Sequence, residues 1–161
     1  MADSPLLLGI DPGAETGLAA VCAGTGTVVF VESAGPLAAV RRIEGLAGRV
    51  AHAYVEDARA LPLYARHGGA NRGERDRIAR SVGAVDGLTG LYVELLRSLS
   101  VPVKTVEPVR AAKWDAATAA RVTGYAGRSN EHGRDALRHV WGRRPPPDRA
   151  RHDTPVDRPA V

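Results

Sequence analysis

Over the first third of the chain, short apolar runs alternate with turn residues, and apolar positions repeating every three or four residues dominate after it. Leu6, Leu7, Leu8 and Ile10 form a run of the length a strand buried on both faces uses, and the run ends in Asp11-Pro12-Gly13. Pro12 cannot extend a ladder and Gly13 suits a turn, so residues 16–21 are expected to return antiparallel. Residues 27–32 follow as a third strand after a loop at 23–26. Leu37, Val40, Ile43, Ala47 and Val50 then recur at helical steps, with Arg41, Arg42 and Arg49 outside, which predicts an amphipathic helix. Residues 53–56 read as a fourth strand ending in Glu56-Asp57, and residues 59–77, polar and rich in Gly and Arg, as a mobile loop. Ile78, Val82, Val85, Leu88, Tyr92, Leu95, Leu96 and Leu99 fall on one stripe of a helix about six turns long at 3.6 residues per turn. A fifth strand is predicted at 101–106 and a helix at 111–122. A flexible segment at 124–130 precedes a last short helix at 131–140 that turns Ala136, Leu137 and Val140 inward.

Composition narrows this picture. With 161 residues, 44% of them hydrophobic, the chain has room for one substantial core, placed here at residues 1–142. Residues 143–161 are dominated by Pro and Arg and are read as a disordered tail. The formal charge of +4 comes from 22 Lys and Arg against 18 acids, a mild excess compatible with a polyanionic partner. A single cysteine, Cys22, excludes an internal disulfide and a multi-cysteine zinc site, and it reads as a small buried thiol. No apolar run approaches the roughly 18 residues of a membrane span, so the expectation is a soluble cytoplasmic protein with no membrane partner.

The acids give the pattern its chemical interest. Asp11 stands at the end of a core strand, and Glu56 at the end of another. If the fourth strand runs parallel beside the first, their carboxyl ends are about 4.8 Å apart, where open α/β sheets place their ligand sites. Side chains alternate along a strand, so only one of Glu56 and Asp57 can face that cleft. Two carboxylates this close repel one another unless a cation neutralises them, and a hard divalent ion with oxygen ligands, Mg²⁺ or Mn²⁺, does so economically. His132 and Asp135 sit three residues apart on one face of the last helix. Taken singly these features have ordinary readings, a turn-forming Asp and a surface His-Asp pair.

Together, GIDPGxxTG at the end of the first strand, an acid after the fourth and HGRDAL on the last helix resemble the RuvC-like branch of the RNase H-like nucleases. The resemblance implies an α/β, RNase H-like fold with a five-stranded mixed sheet and helices on both faces. It implies that Asp11, Glu56 and Asp135 are the metal-binding acids, with His132 at a position where many members carry Asp. The implied site holds two Mg²⁺ or Mn²⁺ ions and hydrolyses phosphodiesters, with His132 either ligating an ion or orienting the attacking water. It further implies a homodimer that resolves four-way (Holliday) DNA junctions in the cytoplasm, associated with the nucleoid in a bacterial source. Arg66, Arg72, Arg75, Arg77 and Arg80 match a loop that meets branched DNA, and Lys113 a basic position near the scissile phosphate. Two alternatives stand beside this reading. One is a nuclease of the YqgF-like group acting on structured RNA, and the other a branched-DNA binding module without catalysis. Trp114 and Trp141 read as core or capping aromatics.

Overall fold

The first strand is the centre of the sheet. In the computed structural model, which describes residues 4–60 and 71–144, β1 (Leu6–Asp11) is flanked by β2 (Thr16–Cys22) and β4 (Val50–Glu56). β3 (Val28–Ala34) lies outside β2, and β5 (Val103–Val106) outside β4, giving the order β3-β2-β1-β4-β5. The β1-β2 and β2-β3 pairs are antiparallel, as the turn residues predict, whereas β1-β4 and β4-β5 are parallel. The sheet is therefore mixed and five-stranded.

Alternation along β1 sends Leu6, Leu8 and Ile10 to one face and Leu7, Gly9 and Asp11 to the other. On the first face, Leu6, Leu8, Ile10, Ala53 and Val55 join Ala39, Ile43 and Leu46 of α1 (Pro36–Leu46) and Tyr92, Val93 and Leu96 of α2 (Arg72–Ser98) in one core. On the second, Leu7, Ala19, Val21 and Tyr54 pack with Ala136, Leu137 and Val140 of the last helix. Trp114 and Trp141 lie half-buried at the edge of this second core, in the packing role expected of them. Helices thus cover both faces.

Several boundaries differ from expectation, each for a local reason. The inward face of α1 is Ala39, Ile43 and Leu46, while Leu37, in the first turn after Pro36, is 65% exposed. The α-helix ends at Leu46, a 3₁₀ turn spans Ala47–Arg49, and Val50 opens β4 opposite Leu6 instead of closing the helical stripe. The long helix starts at Arg72, inside the stretch expected to be a loop, because the Asn71 side chain caps it by accepting from the Glu74 N–H at 2.9 Å. Residues 61–70 of that expected loop lie outside the described residues. The helix expected at 111–122 is α3 (Ala116–Thr123): Asp115 takes the Thr118 N–H at 2.7 Å and fixes its start, leaving Lys113 on the preceding loop. α4 (Glu131–Val140) has the predicted bounds. The folded body runs past residue 142, since Arg143 lies over the Tyr54 ring at 4.7 Å and the Arg144 carbonyl accepts from Tyr54 Oη at 3.2 Å. Residues 145–161, most of the expected tail, lie outside the described residues.

One buried polar contact ties the hairpin to the long helix. Thr16, fully buried at the start of β2, shares a 2.7 Å hydrogen bond with Tyr92 Oη and donates to the Gly13 carbonyl at 3.0 Å. Tyr92→Phe should lower the unfolding free energy by about 1 kcal/mol, the usual net worth of such a bond, as read from urea denaturation midpoints.

Candidate active site

The parallel pairing of β1 with β4 brings two acids to one edge. Ile10 lies opposite Val55, so Asp11 and Glu56 end adjacent strands, and alternation places both on the face covered by α4. Asp57, the next residue, is turned elsewhere and binds the Arg59 side chain through two hydrogen bonds of 2.8 and 2.9 Å. α4 supplies the rest. Asn130 caps it by accepting from the Gly133 N–H at 3.0 Å, and its first two turns carry His132 and Asp135 over the strand ends. Asn130 Nδ2 also donates to Glu15 at 2.9 Å, and Ser33 bridges the two side chains, so the hairpin turn and β3 hold the start of α4.

The helix can come this close because two strand residues are glycines. A Cβ on Gly9 would overlap the carbonyl of Ala136, and one on Gly17 the carbonyl of His132. Gly17 is the ladder partner of Asp11, so the closest approach of α4 to the sheet falls beside the acid.

Asp11, Glu56, His132 and Asp135 all line one open cavity of about 410 Å³, together with Lys113, Arg138 and His139. His132 Nδ1 stands 3.5 Å from Asp11 Oδ2. Asp135 is held from two sides, by Lys113 Nζ at 3.1 Å and Arg138 at 3.2 Å. Lys113 also pairs with the exposed Glu131. Glu56 Oε2 meets His139 Nε2 at 2.5 Å. Burial, then the charges of Glu56 and Asp135, raise the Asp11 carboxyl from 3.8 to about 6.

The donors present suit a hard divalent cation, because three carboxylates and an imidazole share one cavity and the partly buried Asp11 carboxylate is destabilised by desolvation and then by its acidic neighbours. Among the described residues, no group of three or more His, Cys, Asp or Glu side chains is drawn together tightly enough to hold an ion as they stand. Lys113 and Arg138 pair with Asp135, and His139 with one oxygen of Glu56.

Of the arginines expected to meet nucleic acid, Arg72, Arg75, Arg77 and Arg80 are exposed on the first turns of α2, and Arg66 lies outside the described residues. Thr89 of that helix reaches the Glu56 carbonyl at 3.4 Å, and Val85 lines the cavity. From Thr89 back along the helix, Arg80 lies roughly 14 Å away and Arg72 roughly 25 Å at 1.5 Å per residue, so the arginines lead away from the acids to one side of the cavity. His139 and Arg138 were not singled out by the sequence. Their signal is positional, three and four residues after Asp135 on a helix, and it becomes informative only once Asp135 is known to face inward.

No family model matches the chain, and no curated protein matches it. Among solved structures, its fold is similar to that of T. thermophilus RuvC in complex with Holliday junction substrate. The identity is 21%, the match covers 84% of this chain and 90% of that chain, and the TM-score is 0.52. Among the described residues, no helix is long and apolar enough to cross a membrane. Strand order, the helices on both faces and this likeness agree: the chain has the RuvC form of the RNase H-like fold.

Proposed function

We propose that this protein is a metal-dependent endonuclease that cuts four-way DNA junctions by hydrolysing phosphodiesters. The observation that carries the reading is the gathering of Asp11, Glu56, His132 and Asp135, from three separate elements, around one open cavity at the carboxyl edge of a RuvC-type sheet. Asp11, Glu56 and Asp135, with His132 beside them, would hold Mg²⁺ or Mn²⁺, two ions per site. Such ions, when bound, activate water and neutralise charge on the reacting phosphate.

The chain's own residues do the remaining work. Lys113, exposed at the cavity wall, can leave Asp135 for a non-bridging phosphate oxygen, and Asp135 then keeps Arg138 alone as its partner. His132, half-buried at the cavity wall, presents a ring nitrogen that can hold or pass on the proton of an attacking water. Arg72, Arg75, Arg77 and Arg80 extend a basic arm beside the cavity that grips phosphates bidentately without reading bases, which suits a substrate recognised by shape. A two-fold symmetric junction calls for two symmetric nicks, hence a homodimer acting on DNA in the cytoplasm.

The test is cleavage of a labelled four-way junction beside a flap, a linear duplex and a structured RNA, each with Mg²⁺, Mn²⁺ or chelator. The expected result is paired nicks in the junction that need the divalent ion and spare the duplex. Preferential cutting of the RNA would move the assignment to the YqgF-like alternative. Tight junction binding with no nicking under either ion would leave a binding module. Ion pairs at Asp135 favour that last reading to the extent that phosphate fails to draw Lys113 away.

A further inference from the structure

His139 is the side chain in the cavity wall whose presence stability does not explain. Its side chain is 1% exposed, on the face of α4 that also buries Ala136 and Val140. Nε2 meets Glu56 Oε2 at 2.5 Å, and Nδ1 is buried without a hydrogen-bond partner. An orphaned buried polar atom is costly, and an apolar side chain of similar size would not incur that cost. Glu56 is 21% exposed and does not depend on the histidine for a hydrogen bond, because water can reach it. The imidazole is thus expensive as packing, and what it obtains is control of one carboxylate. A glutamate side chain at a strand end loses much rotamer freedom when it is fixed, so the task of fixing it falls to a neighbour.

We propose that His139 is a positioning residue that locks Glu56: its Nε2–H holds Oε2, so that Oε1 alone is presented to the cavity. The proposal rests on the nuclease reading of this cavity and goes beyond it in assigning how one acid is oriented. The ring is 1% exposed on α4, and with Nε2 on Oε2 the carboxylate is restrained to offer a single oxygen. Ligands oriented in this way by a neighbour's N–H typically lose 10–100-fold in metal affinity when that neighbour is removed.

The experiment compares the full chain with His139→Leu and His139→Gln. Leucine removes the donor and the orphaned Nδ1 together, whereas glutamine restores an amide N–H close to where Nε2 stood. Mn²⁺ affinity by calorimetry, junction nicking and urea stability are measured for each. The expected pattern is a leucine variant that folds at least as stably as the wild type, binds Mn²⁺ about 10–100-fold more weakly and nicks correspondingly slowly, with most of the loss recovered by glutamine. Wild-type affinity and nicking in the leucine variant would overturn the positioning role alone. A glutamine variant no better than leucine would do the same. A wild type that neither binds Mn²⁺ nor nicks overturns the nuclease reading, and the positioning role with it. A measurement on the wild type covers the case of a leucine variant that does not fold. Nitrogen NMR should show His139 with its proton on Nε2 and that resonance shifting on Mg²⁺ addition, while buried His52, which does not line the cavity, stays still. A proton on Nδ1, or no shift, overturns it.

Discussion

Asp11→Asn should abolish junction nicking and, at the same time, make the metal-free protein more stable at neutral pH. The loss of activity is expected to exceed about 10³-fold, since the several kcal/mol a bound divalent ion contributes to a phosphoryl transition state is about that factor in rate. The gain in stability follows from burial, then from the charges of Glu56 and Asp135, which together raise the Asp11 carboxyl from 3.8 to about 6. Between those two values the folded protein binds a proton that the unfolded chain has released, so stability falls as pH rises through the window. Above it, ionised Asp11 costs the fold on the order of 3 kcal/mol, at 1.36 kcal/mol per tenfold change in proton affinity. An asparagine carries no such charge. Urea unfolding at a series of pH values should therefore show the variant more stable by about 1–3 kcal/mol at pH 8, the difference vanishing towards pH 4. Adding Mn²⁺ at pH 8 should stabilise the wild type and leave the variant nearly unchanged, because only the carboxylate gains a counter-ion. A variant equally stable at both pH values would mean that Asp11 does not feel its neighbours as the geometry has it.

The trade between that acid's function and its cost is partly visible in the primary structure. An apolar run ending in Asp-Pro-Gly places a carboxylate at the lip of a core strand, and alternation admits only one of Glu56 and Asp57 to the cavity; the family resemblance selects Glu56, which lines it, while Asp57 binds Arg59. The last helix was legible to the residue from its inward Ala136, Leu137 and Val140, and the structure adds the Asn130 cap that fixes its start. Legibility failed where a cap sits in a polar stretch. Asn71 and Glu74 start α2 among arginines whose charge suggests a loop, and Asp115 delays α3 by five residues relative to the expected start at 111. It failed again at α1, where Leu37 completes a plausible stripe yet faces solvent. Tertiary placement decides such cases, and a helix with small residues such as Ala39 can be seated on its small face. The partners of the acids were beyond reach for a different reason. Lys113 meets Asp135 across a loop and His139 meets Glu56 across a helix-to-strand gap, contacts that periodicity within one element does not encode.

Gly17→Ala should be among the most damaging single-methyl changes in the chain, and its effect should reach the acids. Gly17 pairs with Asp11 across the β1-β2 ladder and lies on the face that α4 covers. A Cβ there would overlap the His132 carbonyl, which is backbone and cannot rotate away. Something larger must move. Either the first turn of α4 lifts from the sheet, taking His132 and Asp135 away from Asp11, or β2 bends and strains the buried Thr16 contact with Tyr92 beside it. Overpacking of this kind commonly costs about 1–3 kcal/mol and more when backbone is the obstacle, against a total stability of roughly 5–15 kcal/mol for a domain. The expected result is a melting temperature lower by several degrees, at about 2–4 °C per kcal/mol for a domain of this size, with nicking reduced even in the fraction that stays folded. Gly45→Ala is the matched control, because a Cβ at that helix position meets nothing within 4 Å and alanine favours helix by about 1 kcal/mol. If Gly17→Ala melts and nicks like the wild type while the control behaves as expected, α4 does not sit on β2 at backbone distance. The placement of His132 and Asp135 over Asp11 would then have to be given up.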